Sequence, residues 1–181
     1  YLRFMFRSNT NFVLLKDEIK HVKNYIRIQQ LRSPGSITAD FNVPDYLCDS
    51  QVPPLIVQLF AENTLKYAAG YEQELIMTVQ TSMEELEGGR LYLKIKITDN
   101  GPGFSPEILE QIRQGERIIR DGSAHIGIRN IHKRLAILYK GQAVIDFFNA
   151  DPHGAVVDIH LPLYSPDSAL EGMSNEPADS G

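Results

Sequence analysis

Two kinds of hydrophobic periodicity divide the chain into helices and strands. Apolar positions recur every three to four residues over 11–32, 53–69 and 128–138, which is the spacing of an amphipathic helix. Alternation of apolar and polar positions instead predicts strands over 37–43, 74–81, 91–98, 143–148 and 155–161. A further short helix is expected after Ser105, which would cap it, with Pro106 in its first turn.

The order of these elements predicts the fold class. The strands come mostly in pairs and do not alternate with helices as βαβ units would. We therefore predict an α+β fold, a two-layer sandwich in which helices cover one face of a mixed sheet. Beyond this region, residues 165–181 are small, polar and acidic, which predicts a disordered tail.

Composition and charge narrow the classes of function. The 181 residues are 43% hydrophobic and 23% charged, as in an ordinary globular protein. A net charge of -5 argues against nucleic acid as the main partner, because binding its backbone requires a basic surface. The single cysteine, Cys48, excludes an intramolecular disulfide and favours a reducing, cytoplasmic setting. The chain starts in mid-pattern without a methionine, so we expect it to be a piece of a longer protein.

The end of the strand predicted over 91–98 carries the first candidate binding residue. Asp99 continues the odd-numbered apolar series, so strand alternation places it on the side that the helices cover. A carboxylate in that position needs hydrogen-bond donors, and the exocyclic amino group of adenine is a suitable one. Gly101 and Gly103 would let the backbone approach a ligand closely. A simple Asp-Asn-Gly turn is the commoner alternative.

The helix predicted over 53–69 carries the second candidate. Asn63 lies on the apolar stripe of this helix, and its amide oxygen suits Mg²⁺, which otherwise keeps water and phosphate oxygens as ligands. Lys66, one turn later, could reach a phosphate. The alternative is a satisfied core amide beside a solvated Glu62–Lys66 pair.

The third candidate is the glycine-bearing segment 122–130 before the last predicted helix. A helix N-terminus attracts phosphate, because its free amides and its dipole both favour an anion. Arg134, together with Arg129 and Lys133, adds positive charge nearby, although surface positions are an alternative for these side chains. A single glycine loop is weak evidence by itself.

In this order and spacing, the three features resemble the N box and the two glycine boxes of the GHKL (Bergerat-fold) ATP-binding domain. The helix over 15–26, the Pro-Pro-Leu-Ile sequence at 53–56 and the closing strand 154–162 are similar to those of LytS/YesM-type sensor histidine kinases. The resemblance covers roughly residues 3–163.

This resemblance implies a set of nucleotide-binding residues, namely Asn63, Lys66, Asp99, Gly101, Gly103, His125, Ile126, Gly127, Ile128 and Arg134. Within this set, Asn63 would be the Mg²⁺ ligand and Asp99 the carboxylate that reads adenine. Gly127, with the amides that start the Ile128 helix, would bind the phosphates. Residues 104–126 would form the ATP lid, which nucleotide would order.

The resemblance also implies how the chain is organised and what it does. Residues 1–34 would link from a dimerisation and phosphoacceptor region outside this sequence, 35–164 would be the ATPase-like domain, and 165–181 the tail. The domain would bind ATP with Mg²⁺ and transfer the γ-phosphate to a histidine. Its partners would be ATP or ADP, the phosphoacceptor helix of its own longer chain, a response regulator, and a second copy in a homodimer. It would be the cytoplasmic domain of a membrane-anchored sensor.

Two positions depart from the patterns of the superfamily. His125 stands where many relatives have another glycine. Leu59 lies one helical turn before Asn63, where ATP-hydrolysing members such as type II topoisomerases and Hsp90-like chaperones carry a glutamate base. Because leucine cannot accept a proton, hydrolysis is disfavoured as the activity.

None of the five histidines lies in a His-Phe-x-x-Asn-type phosphoacceptor motif. His21 lies on a helix beside basic residues, and we interpret it as a helix-surface residue. The sequence therefore predicts ATP binding without self-phosphorylation. Two alternatives stay open. His125 favours a nucleotide-sensing module without transfer activity, whereas the first helix and the Pro-Pro-Leu-Ile sequence disfavour an anti-sigma-factor-type serine kinase.

Overall fold

A computed structural model describes residues 11–35, 37–67, 74–86, 88–114 and 124–163. The α-helices in these ranges are α1 (Leu15–Arg32), α2 (Gln58–Tyr67), α3 (Pro106–Gln114) and α4 (Ala124–Leu138). The strands are β1 (Val13–Leu14), β2 (Ile37–Asn42), β3 (Gln51–Val52), β4 (Leu75–Leu86), β5 (Arg90–Asp99), β6 (Val144–Asn149) and β7 (Ala155–Pro162).

The main sheet is mixed, as the element order predicts. Its five strands lie in the order β2-β4-β5-β7-β6, with β2 parallel to β4 and every other pair antiparallel. In β5, the buried residues Leu93, Ile95 and Ile97 alternate with more exposed polar ones. One face of the sheet therefore carries the core, and β5 lies at its centre.

Helices α1, α2 and α4 cover this apolar face. Their buried residues, among them Ile19, Phe60 and Leu135, belong to one hydrophobic cluster with the inward positions of the sheet. The predicted α+β sandwich is thereby confirmed. Helix α1 packs in the same core as the other two helices, although it leaves Ile28 and Leu31 exposed.

Three helices begin elsewhere than periodicity predicts. Helix α1 begins at Leu15 and not at residue 11, because Val13–Leu14 pairs with Gln51–Val52 as a short antiparallel ladder. Helix α2 begins at Gln58 and not at residue 53, because Leu55 has a φ of 64°, which is not helical. Helix α4 begins at Ala124, four residues before the predicted start. Tertiary contacts override the local pattern in the first two cases.

The short helix α3 follows the prediction. It begins at Pro106, and the Ser105 hydroxyl oxygen accepts the N–H of Ile108 at 3.3 Å, as an N-cap does. Other predictions fall outside the described residues: residues 115–123 of the lid predicted over 104–126, the tail 165–181 and the first ten residues of the 1–34 segment.

Candidate functional site

A cleft opens between the ends of β5 and β7 and the helices α2 and α4. It contains about 670 Å³ of empty space, part of which is open to solvent. Its walls are formed by Phe60, Asn63, Thr64, Ile97, Thr98, Asp99, Gly101, Pro102, Gly103, Phe104, Ile108, Ile128, Ala155 and Val157. Most of these are apolar, so the few polar side chains would determine the orientation of a ligand.

Asp99 is the most strongly fixed polar group in the cleft. The Thr64 hydroxyl donates to its Oδ2 at 2.8 Å. The backbone N–H groups of Gly101 and Ala155 donate to its Oδ1 at 2.9 Å and 3.0 Å. An ionised carboxylate has about four acceptor positions, so three donors leave one for a ligand. The structure thus presents Asp99 as a fixed acceptor.

The neighbouring residue directs Asp99 into the cleft. Asn100 accepts the N–H of Ile76 at 2.7 Å and donates to the carbonyl of Glu74 at 3.0 Å. These bonds attach the end of β5 to the start of β4. The side chain of Asp99 is thereby held on the helix-covered side, as strand alternation predicts.

Gly154, the residue directly before β7, allows the start of β7 to lie close to the end of β5. Gly154 has a φ of +117°, and a Cβ on it would lie 2.0 Å from the carbonyl oxygen of Asp99. No side chain fits between these two backbone segments. Nearby, Asn149 accepts the N–H of Phe104 at 2.7 Å and donates to its carbonyl at 2.9 Å, which holds the segment after Gly103 against β6.

Helix α2 contributes Asn63 to the same cleft. Asn63 is half-buried and directly precedes Thr64, whose hydroxyl donates to Asp99. Adjacent positions on one helix therefore supply the donor to Asp99 and the Asn63 amide. Lys66 lies exposed one turn later. The structure therefore brings five of the predicted residues into one cleft, namely Asn63, Asp99, Gly101, Gly103 and Ile128.

Two other predicted residues lie in a second cavity, between α2 and α4. Gly127 and Arg134 line it with Leu55, Leu59, Glu62, Asn130 and Ile131. A Cβ on Gly127 would lie 2.7 Å from Cδ1 of Leu59, so this glycine allows α4 to pack closely on α2. Gly127 also lies at the end of the first turn of α4, which begins at Ala124.

Arg134 contacts protein in this second cavity. Its Nη2 donates to the carbonyl of Pro54. Burial lowers the pKa of the Arg134 guanidinium, and the nearby Glu18 carboxylate opposes that shift. An arginine keeps its charge in proteins, so Arg134 is a half-buried cation beside the start of α2. Its predicted role at the phosphates stays a prediction, as do the roles of His125 and Ile126, whose side chains lie outside the described set.

Sequence reasoning missed several residues that build the cleft. Thr64, Asn149 and Gly154 stabilise Asp99 or the segment after it. Two of them carried a signal, since Thr64 directly follows Asn63 and Gly154 opens the closing strand 154–162 of the resemblance, but neither signal indicated a contact with Asp99. The partners of Asp99 lie 35 and 56 positions away along the chain, and periodicity cannot reveal such contacts.

Comparison with known proteins identifies the families that share this architecture. The profile of the family described as histidine kinase-, DNA gyrase B- and HSP90-like ATPases matches residues 49–165. A histidine kinase family profile matches residues 1–37. The resemblance inferred from the three boxes is thereby confirmed.

Individual relatives agree with these profiles. The chain is 25% identical over 167 residues to the sensor protein LytS of Bacillus subtilis (strain 168), covering 90% of this chain and 27% of LytS. It is 24% identical over 162 residues to the sensor protein kinase HptS of Staphylococcus aureus (strain USA300), covering 90% of this chain and 30% of HptS. The chain thus spans less than a third of the length of these relatives.

Solved structures share the fold at lower identity. The catalytic domain of histidine kinase ThkA superposes with a TM-score of 0.60 at 15% identity, over 84% of this chain and 96% of that domain. The mycobacterial sensor histidine kinase MprB gives a TM-score of 0.57 at 19% identity, over 83% of this chain and 95% of the solved one.

Proposed function

Because the chain belongs to the family of histidine kinase-, DNA gyrase B- and HSP90-like ATPases, we propose that it is the ATP-binding catalytic domain of a sensor histidine kinase. It binds ATP with Mg²⁺ and delivers the γ-phosphate to a histidine that lies outside this sequence.

One observation carries the proposal, namely the hydrogen bonding of Asp99. Three donors from the protein fix both carboxylate oxygens, and the remaining acceptor position faces an apolar cleft. Adenine offers an amino donor to such an acceptor, whereas guanine offers a carbonyl oxygen at the corresponding ring position. Apolar walls from Ile97 and Val157 suit the flat base.

The residues of the cleft also fit Mg²⁺ as a companion of the nucleotide. Over the described ranges, no group of three or more histidine, cysteine, aspartate or glutamate side chains could hold a metal ion. Asn63 offers one amide oxygen, the kind of hard ligand that Mg²⁺ accepts while phosphate oxygens and water complete its shell. The metal would neutralise phosphate charge, and Asn63 would hold it in place. The first-turn amides of α4 and Lys66 supply further attraction for phosphate.

Phosphoryl transfer is favoured over hydrolysis by the surroundings of Leu59. This side chain, one turn before Asn63, packs against Gly127. The nearest acid on α2, Glu62, lines the second cavity and accepts a hydrogen bond from Gln58 Nε2 at 2.7 Å. Among the described residues of α2, no carboxylate therefore lies next to Asn63 on the cleft side, where a general base for water would be needed.

The wider organisation is part of the proposal. Helix α1 would continue towards a phosphoacceptor and dimerisation region, with a response regulator as the downstream partner. The relatives named sensor proteins support this assignment. Among the described helices, none is long and apolar enough to cross a membrane.

The test is nucleotide selectivity followed by transfer. At a hundredfold excess over its dissociation constant, Mg-ADP should stabilise the chain by about 2.7 kcal/mol, which raises the melting temperature by about 5–10 °C. Mg-GDP should give no comparable shift, and an equal response would contradict the role of Asp99. After incubation with Mg-ATP, mass spectrometry should find no phosphohistidine on this chain. A supplied phosphoacceptor helix from the full-length protein should become phosphorylated, and failure would favour a nucleotide-sensing module without transfer activity.

A further inference from the structure

The N-terminus of α2 is capped by a side chain from another helix. Glu18 of α1 accepts the N–H of Leu55 at 2.8 Å with Oε2. Its Oε1 accepts the N–H groups of Val57 and Gln58 at 3.1 Å and 3.3 Å. The first N–H groups of a helix have no partner within it, so Glu18 satisfies donors that α2 itself leaves open.

This cap differs from the local one in the same chain. Helix α3 is capped by Ser105, the residue directly before it. In contrast, Glu18 lies 40 positions before Gln58, and its side chain is completely buried, with 0% exposure. Burial of a carboxylate is costly, and the three backbone donors and the Arg134 guanidinium compensate for it. Burial raises the pKa of the Glu18 carboxyl, while the donors at Leu55, Gln58 and Val57 and the charge of His21 oppose the shift.

The turn that Glu18 holds is strained. Leu55 has a φ of 64°, a conformation that side chains with a branched carbon skeleton rarely adopt. Such a residue keeps this geometry only where its surroundings impose it. Here the constraints come from two sides, since α1 contributes Glu18 and α4 contributes Arg134, which donates to the Pro54 carbonyl. Helices α1, α2 and α4 therefore meet at one polar junction.

We propose that Glu18 is a positioning residue, which sets the location of α2 and with it the metal-binding amide of Asn63. Asn63 follows Gln58 by five residues on the same ten-residue helix, so a shift of the N-terminus carries Asn63 with it. Asp99 lies on β5, and two of its three donors, the N–H groups of Gly101 and Ala155, do not come from α2. Displacement of α1 thus acts mainly on the end of the cleft where Asn63 would hold the metal, and it reaches the base-binding end only through the Thr64 donor. This inference rests on the proposed function.

The experiment separates the two sides of the cleft by measuring nucleotide affinity with Mg²⁺ and with EDTA. Titration calorimetry with a non-hydrolysable ATP analogue gives the dissociation constant with Mg²⁺ and the one with EDTA. Both are measured for the unchanged chain and for Glu18→Ala, Glu18→Gln and Asp17→Asn. Asp17 is the matched control, because it is an exposed acid next to Glu18 on the same helix. All measurements are made at a temperature at which circular dichroism shows each variant folded.

We expect Glu18→Ala to weaken Mg²⁺-dependent affinity by about 10-fold or more, the usual effect of losing a residue that orients a metal ligand. Its affinity in EDTA should fall by a smaller factor, because only the Thr64 donor links α2 to Asp99. Glu18→Gln should fall between, because its amide oxygen can still accept two of the three N–H groups. Asp17→Asn should match the unchanged chain. Hydrogen exchange should also accelerate at the start of α2 in both Glu18 variants.

The outcomes distinguish this inference from the proposed function. If the unchanged chain does not bind the ATP analogue, the proposed function fails. If it binds, and Glu18→Ala melts earlier but keeps its full Mg²⁺-dependent affinity, Glu18 is only structural and the inference is overturned. An equal loss with and without Mg²⁺ overturns it as well. Should Glu18→Ala not fold, the same comparison on Glu18→Gln decides.

Discussion

The contrast between two substitutions of Asp99 tests the cleft most directly. In Asp99→Asn, the amide oxygen can accept from the backbone N–H groups of Gly101 and Ala155, as Oδ1 does now. The amide nitrogen can donate to the Thr64 hydroxyl, whose proton rotates away. The local network therefore survives, but the acceptor that faces the cleft becomes a donor. Asp99→Ala instead removes the acceptors of all three donors.

The structure sets the expected magnitudes. A hydrogen bond to a charged acceptor contributes about 1.5–3 kcal/mol, so Asp99→Asn should weaken ADP binding by about 10- to 150-fold. Its free energy of unfolding should stay within about 1 kcal/mol of the unchanged chain. Asp99→Ala leaves two backbone N–H groups unsatisfied at about 1–3 kcal/mol each. Because the cleft admits water, we expect the lower end, a loss of about 2 kcal/mol.

Urea denaturation and titration calorimetry with Mg-ADP measure both quantities. Asp40→Asn is the control, since it removes the same charge from an exposed position on the edge strand β2. It should leave both affinity and stability unchanged. Asp99→Asn with ADP affinity within twofold of the unchanged chain would refute the assignment of this carboxylate to the base. If Asp99→Asn unfolds as readily as Asp99→Ala, the hydrogen-bond reasoning is wrong.

Further predictions follow from neighbouring residues. Gly154→Ala places a methyl group 2.0 Å from the carbonyl oxygen of Asp99, so urea denaturation should show a loss of at least about 2 kcal/mol, and unchanged stability would contradict the close approach. Thr64→Val removes one donor to Asp99 and should lower the free energy of unfolding by about 1 kcal/mol, with weaker ADP binding in calorimetry. Burial lowers the pKa of His132 below its ordinary 6.5, an effect that Asp146 opposes, so the unfolded chain binds more protons between the two values. The stability that neutral His132 contributes is therefore complete above pH 6.5, and it is lost as the pH falls from 6.5 through the lowered pKa of the folded chain. His132→Gln should flatten the dependence of the free energy of unfolding on pH in this range. His153→Gln is the control at an exposed position and should leave that dependence unchanged.

The sequence predicts the part of the cleft around Asp99, which would bind the base, better than the start of the helix that carries Asn63, the proposed metal ligand. Asp99, Gly101 and Gly103 follow one strand, so strand alternation alone places them together, and the structure finds them on one wall. Asn63 joins them because the apolar stripe of its helix must face the sheet. These inferences need only local periodicity and the rule that apolar faces are buried.

The start of α2 could not be predicted in this way. Two prolines suggest that the helix begins at residue 53, yet it begins at Gln58. The start of the helix at Gln58 is held by Glu18, which lies on another helix. In the sequence, nothing distinguishes Glu18 from the other charged residues between the apolar positions of α1. Arg134 shows the same difficulty, since its contact with Pro54 joins positions 80 residues apart. Polar contacts between remote segments leave no periodic signal.

The position of Asp99 at the end of the central strand has a consequence for how a sensor of this kind would respond. Strand β5 is paired on both sides, with β4 along its whole length and with β7 over most of it, so it belongs to the most protected part of the fold. Recognition of the base would then depend on the surrounding helices through one donor to Asp99, that of Thr64, while the other two donors are the N–H groups of Gly101 and Ala155. An input arriving through α1 would therefore act first on the Mg²⁺ and phosphate end of the cleft, and the base would remain the steadier point of attachment for the nucleotide.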